Sequence, residues 1–236
     1  MKYLVSICVV ICLGGMAVWG YAQESQTGNR GKVHETMLNT LNTHTIMLYQ
    51  QRKFAEAEQA ARQAVDYGEK NIGVNDPGIT DSLDILATIL RQTGKLKEAE
   101  GLLQRTLQIN ETAFGPEDVR VVQALNSLGD FYRVQSKFAA AEPLLTRALR
   151  ILDANSNASH DNRLHTMLQL ANLYAALERY AEMDELYQRV LPLLEEQGDQ
   201  VRLQYAAANV QIKPTEYNVV KNAQEYDRHF ATQTCE

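Results

Sequence analysis

Polar side chains recur in this 236-residue chain at a fixed interval of 42. Asn42, Asp84 and Asn126 form one such series, which ends on Leu168. A second runs Ile46, Thr88, Asp130 and Asn172, and a third Tyr49, Arg91, Arg133 and Ala175. An amide offers both a donor and an acceptor. Arginine adds a planar fork that fits a carboxylate, on an acidic side chain or at a chain end. These are groups that bind. Groups that react are missing from the pattern. The five histidines, His34, His44, His160, His165 and His229, form no HExxH and no other spacing that puts two ligands on one helical face. There is no CxxC, no glycine-rich phosphate loop and no GxSxG elbow. The paired acids Glu56/Glu58 and Glu98/Glu100 recur with the same period, which marks a solvated helix face rather than a catalytic pair. The sequence therefore predicts no catalytic residue, no metal site and no cofactor.

The period belongs to the elements that carry these residues. KFAEAE (53–58), KLKEAE (95–100), KFAAAE (137–142) and RYAEMD (179–184) lie in one frame without an insertion or deletion. Such a period means one supersecondary unit stacked on copies of itself. In the first half of each unit, apolar residues fall at i, i+3, i+4 and i+7: Leu83, Leu86, Ala87 and Leu90, then Leu125, Leu128, Gly129 and Tyr132, then Met167, Leu170, Ala171 and Tyr174. That is one stripe of an α-helix. The second halves (Leu96, Ala99, Leu103, Thr106 and Leu107 in one unit) have one-sided helical spacing too, and nothing alternates with period two. Connections as short as Gln51-Arg52-Lys53 or Thr93-Gly94-Lys95 force antiparallel neighbours. Between units, Gly73 to Pro77 and Gly115 to Asp118 supply a glycine where a helix can close left-handed, followed by proline or acid at the next start. At the third boundary the Asn and Ser residues of Ala154 to Asn162 are expected to stop and cap the helices. Small residues (Thr45, Ala87, Gly129 and Ala171 on the first helices, Ala57, Ala99 and Ala141 on the second) mark close backbone crossings.

The small residue of the first helix, the KxxEA-type turn and the alanine of the second helix resemble the tetratricopeptide repeat. The 42-residue period is similar to the longer subclass found in kinesin light chains and many bacterial proteins; LNSLGDFYRVQSKFAAAEPLLTRAL (125–149) and FGPEDVRVV (114–122) carry the match. The resemblance implies an all-α fold, a right-handed superhelical solenoid of antiparallel helix pairs whose first helices line a concave groove. It further implies a non-catalytic scaffold that binds a peptide or protein segment. Asn126, in an LNSLG context, resembles the groove asparagine that hydrogen-bonds a peptide backbone. Carried over by frame, the groove comprises Asn42, Tyr49, Asp84, Arg91, Asn126, Asp130, Arg133 and Asn172. A self-assembling structural unit or a regulatory subunit of an envelope complex is the alternative.

Four repeats are expected at about 36–77, 78–119, 120–161 and 162–198 within a domain over 34–198, after a flexible segment at 23–33. The frame is lost after Glu196, and helical patterns in 199–236 predict a C-terminal capping pair. Residues 1–22 read as a leader: a basic start at Lys2, an apolar run from Leu4 to Trp19, and small residues before a cleavage point after Ala22. Export to a bacterial periplasm or medium follows, with an uncleaved anchor as the alternative. Without the leader one cysteine remains, Cys235, so a disulfide framework within the chain is excluded. The formal charge of −6, with no Lys/Arg-rich run, argues against nucleic acid and anionic membrane as partners and for a protein partner.

Overall fold

The computed structural model describes residues 31–197. The leader and the capping pair expected over 199–236 lie outside the described residues. Eight helices fill the described chain, with no strand among its residues. They are α1 over 31–50, α2 (Phe54–Asn71), α3 (Thr80–Gln92), α4 (Leu96–Phe114), α5 (Val122–Val134), α6 (Phe138–Ala154), α7 (His160–Ala176) and α8 (Tyr180–Gln197). Each 42-residue repeat is thus a first helix, a tight turn and a second helix. The chain divides at Leu102, inside α4, into two compact units. In the first, α2 packs on α3; in the second, α5 packs on α6, α6 on α7 and α7 on α8.

The turns explain the frame. Arg52, Gly94, Ser136 and Glu178, 42 residues apart, have φ of 59°, 80°, 59° and 58°. One left-handed residue per turn reverses the chain, and only Gly94 adopts that conformation without a steric cost. The carbonyl of the helix end is met from beyond the turn, as where the Lys53 N–H donates to Leu48 O at 3.0 Å and the Lys137 N–H to Tyr132 O at 2.9 Å. Between repeats, Gly73 and Gly115 are also left-handed, with φ of 142° and 91°. Asp76 and Asp118 then cap the following turns, accepting from the Gly78 and Arg120 N–H groups at 2.8 and 2.9 Å. The third boundary works differently from its sequence expectation. Asn155 does stop α6, its Nδ2 donating to Ile151 O at 3.3 Å, but the Ser159 side chain makes no cap bond. Arg163 reaches back instead and donates to Leu152 O and Asn155 O.

The predicted stripes are the core. Leu83, Leu86, Ala87 and Leu90 are buried, as are Leu125, Leu128, Met167, Leu170 and Ala171. Leu96 departs from the pattern: as the first residue of α4 it sits at the edge of its helix and stays 38% exposed. The close crossings fall where small residues recur. A Cβ on Gly129 would lie 2.7 Å from Leu145 Cδ2, and Ala57, Ala99 and Ala141 have no exposed surface. At the other end of the described chain, Gly31 to Val33 belong to α1 and not to a flexible lead-in. No breaker separates them from Gln50, and Thr36 Oγ1 already donates to Lys32 O at 2.8 Å.

Candidate functional site

The polar series lies on the first helices, and each compact unit holds half of it. In the first unit, Asn42 and Tyr49 stand on α1, Asp84 and Arg91 on α3. In the second, Asn126, Asp130 and Arg133 occupy i, i+4 and i+7 of α5, with Asn172 on α7.

The asparagines are buried between consecutive first helices. Asn42 is 7% exposed, and its Oδ1 accepts from Ser82 Oγ of α3 at 2.9 Å. Asn126 is 3% exposed, and its Nδ2 donates to Thr166 Oγ1 of α7 at 2.7 Å. Both bonds span forty residues, so each asparagine joins one repeat to the next. The second bond also fixes which way the amide points. Thr166 donates its single hydroxyl proton to Asn162 O at 2.8 Å, so toward Asn126 it can only accept. The Asn126 amino group must face Thr166. Its Oδ1 is then turned away, buried and without a hydrogen-bond partner among the described residues. Such an orphan acceptor costs about 1–3 kcal/mol until a donor meets it. Gln169 of α7, one turn before Asn172, likewise has a buried, unpartnered Oε1, while its Nε2 lies 2.9 Å from His165 Nε2.

The charged members differ from one another. Arg133, which the sequence offered as a fork for an incoming acid, is engaged within its own helix. Its guanidinium lies 2.6 Å from Asp130 Oδ1, and its side chain is 11% exposed. Asp130 therefore balances Arg133 in place. Arg91, in the last turn of α3, is half-buried, and its guanidinium has no ion-pair partner among the described residues. Asp84 is half-buried and Thr88 Oγ1 donates to its backbone carbonyl. Tyr49 packs edge-on against Phe54 across the first turn, centroids 5.6 Å apart.

Sequence reading missed what the periodic acids do. Glu58 lies 2.6 Å from Lys95 and 2.9 Å from Arg62, and Arg62 reaches Glu98 at 2.6 Å. In the second unit Glu142 meets Arg179, Glu111 meets Arg147 and Asp153 meets Arg189. Each of these bridges except Arg62 to Glu58 spans 36 or 37 residues, from the second helix of one repeat to the turn or second helix of the next. The acid of one motif and the base of the following motif form a rung. The signal was present: Glu58 and Glu142 share one frame position, as do Lys95 and Arg179. The hydrogen bond from Lys95 holds the Glu58 carboxyl below its ordinary range against the opposing effect of burial. The bond from Arg62 does the same for Glu98.

No group of three or more His, Cys, Asp or Glu residues that could hold a metal ion occurs among the described residues. No helix among them is long and apolar enough to cross a membrane. His34 is occupied by the Tyr67 hydroxyl at 2.8 Å.

Stacked antiparallel helix pairs with a fixed frame, polar first-helix faces and ion-pair rungs define a helical-repeat protein. Tetratricopeptide-repeat family models match residues 37–78, 76–154 and 120–196, and the chain belongs to that family. Comparison with curated proteins returns no relative. Among solved structures, the chain is similar to TPR-like repeats assigned to a kinesin light chain of Podosopora anserina, with a TM-score of 0.66, 19% identity, and 85% and 93% of the two chains covered. It is also similar to BtubC (BKLC) from P. vanneervenii, with a TM-score of 0.62 and 17% identity, over 70% of this chain and 66% of that one. A third similar structure is a Pyrococcus horikoshii signal transduction ATPase with a tetratricopeptide repeat sensor, with a TM-score of 0.62 and 16% identity; the match covers 75% of this chain and 27% of that one. These likenesses establish the fold. Repeats of this family generally mediate protein–protein interaction and are typically not enzymes.

Proposed function

We propose that this chain is an exported, non-catalytic scaffold that holds an extended or helical protein segment against its first-helix faces. The observation that carries the reading is the Asn126 amide. Its amino group is locked on Thr166, and its carbonyl oxygen is left buried without a donor among the described residues. A backbone N–H of a bound segment is the donor that would satisfy it. At 3% exposure the residue is reached only as neighbouring side chains part, and the new bond offsets that displacement. Arg91 supplies a cation on α3 that has no ion-pair partner among the described residues, suited to an acidic side chain or a chain terminus. The acidic balance of the chain favours protein over nucleic acid as the partner. The proposal of export, to a periplasm or the medium, rests on the leader pattern of residues 1–22.

The test is affinity capture from the exported fraction with wild type, Asn126→Ala and Arg91→Glu chains, each checked for helicity. Loss of a defined protein from either variant supports the reading for the helix it alters. Unchanged capture by both, with the fold intact, refutes it. Arg133 is a poor probe here, because its removal also strands Asp130.

A further inference from the structure

Among the described residues, the first repeat has an exposed flank whose counterparts in the second and third repeats are buried. Met37, Thr40, His44 and Met47 of α1 are all exposed, the two methionines at 45% and 54%. Their frame equivalents in the second repeat, Ile79, Ser82, Leu86 and Ile89, are at most 3% exposed. In the third, Val121, Ala124, Leu128 and Phe131 are at most 4% exposed. In the fourth, Thr166, Leu170 and Leu173 are buried too, and Arg163 at the first position is half-buried. This flank is the side on which a first helix receives a preceding repeat, as Thr166 receives Asn126. Thr40 even repeats the Thr166 geometry, its Oγ1 donating back to Thr36 O at 2.9 Å.

Three features select the occupant. First, the spacing 37, 40, 44, 47 is the alternating three-and-four step of a two-helix seam. Second, its chemistry is palindromic: apolar, polar, polar, apolar. A second copy laid antiparallel places Met37 on Met47 of the other copy and Thr40 on His44, twice over, which is the self-complementarity a two-fold interface needs. Third, the seam carries no charged side chain, and α1 has only Lys32 and Glu35 among its residues 31–50, in a chain of net charge −6. Two acidic molecules can meet there without like-charge repulsion. Among the described residues a head-to-tail stack finds no matching surface on the fourth repeat. The onward-facing residues of the fourth repeat, Leu168, Ala171 and Ala175, are already buried, at 8%, 0% and 6%.

We propose that the chain forms a two-fold dimer through α1, antiparallel about a point between Thr40 and His44. This surface is separate from the polar first-helix face and does not depend on it. A seam of four layers is short, about 15 Å along the helix, so the dimer is a weak one in the micromolar range.

Sedimentation velocity on the purified chain across a concentration series tests it. Wild type is expected to pass from monomer to dimer. Met37→Glu/Met47→Glu faces glutamate with glutamate and should weaken the dimer by about a hundredfold or more. Asn39→Glu, on the same helix but off the seam, should leave it intact. Met37→Lys/Met47→Glu should restore dimer formation, because antiparallel pairing sets lysine against glutamate while parallel pairing sets like against like. A wild type that stays monomeric overturns the proposal. So does a dimer indifferent to Met37→Glu/Met47→Glu, or one that the lysine–glutamate pair fails to restore, with circular dichroism confirming that each variant is folded.

Discussion

Replacing Gly129 by alanine tests the packing logic of the repeat at its tightest point. Glycine inside a helix costs about 1 kcal/mol relative to alanine, so on propensity alone the change should stabilise α5 by that amount. The structure opposes this. The new methyl would sit 2.7 Å from Leu145 Cδ2 and 2.8 Å from Leu145 Cγ, and Leu145 is wholly buried. Because the Cγ branch point is involved as well as the methyl tip, the leucine must move as a body, and overpacking of that kind costs about 1–3 kcal/mol. The net expectation is a loss of about 1 kcal/mol. Gly101→Ala is the matched control, since nothing lies within 4 Å of its added methyl in α4, and it should gain the full propensity term. Urea unfolding followed by far-UV circular dichroism measures both. A double cycle then isolates the cause: in a Leu145→Ala background, Gly129→Ala should turn stabilising, with a coupling of about 1–3 kcal/mol. If Gly129→Ala stabilises the wild-type background as much as Gly101→Ala does, or if the cycle shows no coupling, the close crossing does not constrain position 129 and the reasoning fails.

Three further expectations follow from the turns, the amide and the rungs. Ser136→Gly and Glu178→Gly should each stabilise by about 0.5–1 kcal/mol by relieving a left-handed non-glycine residue, and Gly94→Ala should destabilise by about 1 kcal/mol, all read from urea midpoints. Thr166→Val leaves the Asn126 amino group buried without an acceptor and should cost about 1–3 kcal/mol, whereas Thr166→Ser, which keeps the hydroxyl, should cost clearly less in the same assay. Paired carboxylates set the acid limit. Glu58 and Glu98 are held below the ordinary value of 4.5 by Lys95 and Arg62, and Asp118 is lowered to about 2 by Arg120. A carboxylate with a depressed folded pKa contributes stability that is full above its unfolded pKa and is lost as pH falls through the folded one. Melting temperature should therefore fall progressively below about pH 4.5 toward pH 2, and Glu58→Gln should flatten the upper part of that fall.

The repeat frame was legible in the sequence because it rests on local signals: helical spacing, a fixed period and breakers between units. The small residues at positions 57, 99 and 141 gave the crossings, and the connections at 52, 94, 136 and 178 gave the turns. What stayed hidden depends on distances between helices. Nothing near Asn42 or Asn126 in the chain announces Ser82 or Thr166, forty residues on. The left-handed residues at Arg52, Ser136 and Glu178 carry no sequence mark, since only Gly94 among the four turns has the residue that favours the conformation. Arg133 looked available by frame because its equivalence with Arg91 ignores the neighbour: Asp130 stands three residues before Arg133, and Thr88 stands three before Arg91.

The recurrence of one left-handed residue in every turn makes each turn a splice junction. Cutting after Gly94 and rejoining at Lys137 excises 42 residues, and the surviving junction still has a left-handed residue followed by a lysine that opens the same motif. The same holds between Arg52 and Lys95, and between Ser136 and Arg179 with an arginine in place of the lysine. A chain built this way can change length by whole repeats, with no new backbone geometry to be found at the seam. Its number of repeats is therefore a property that recombination can alter more readily than the shape of any one of them.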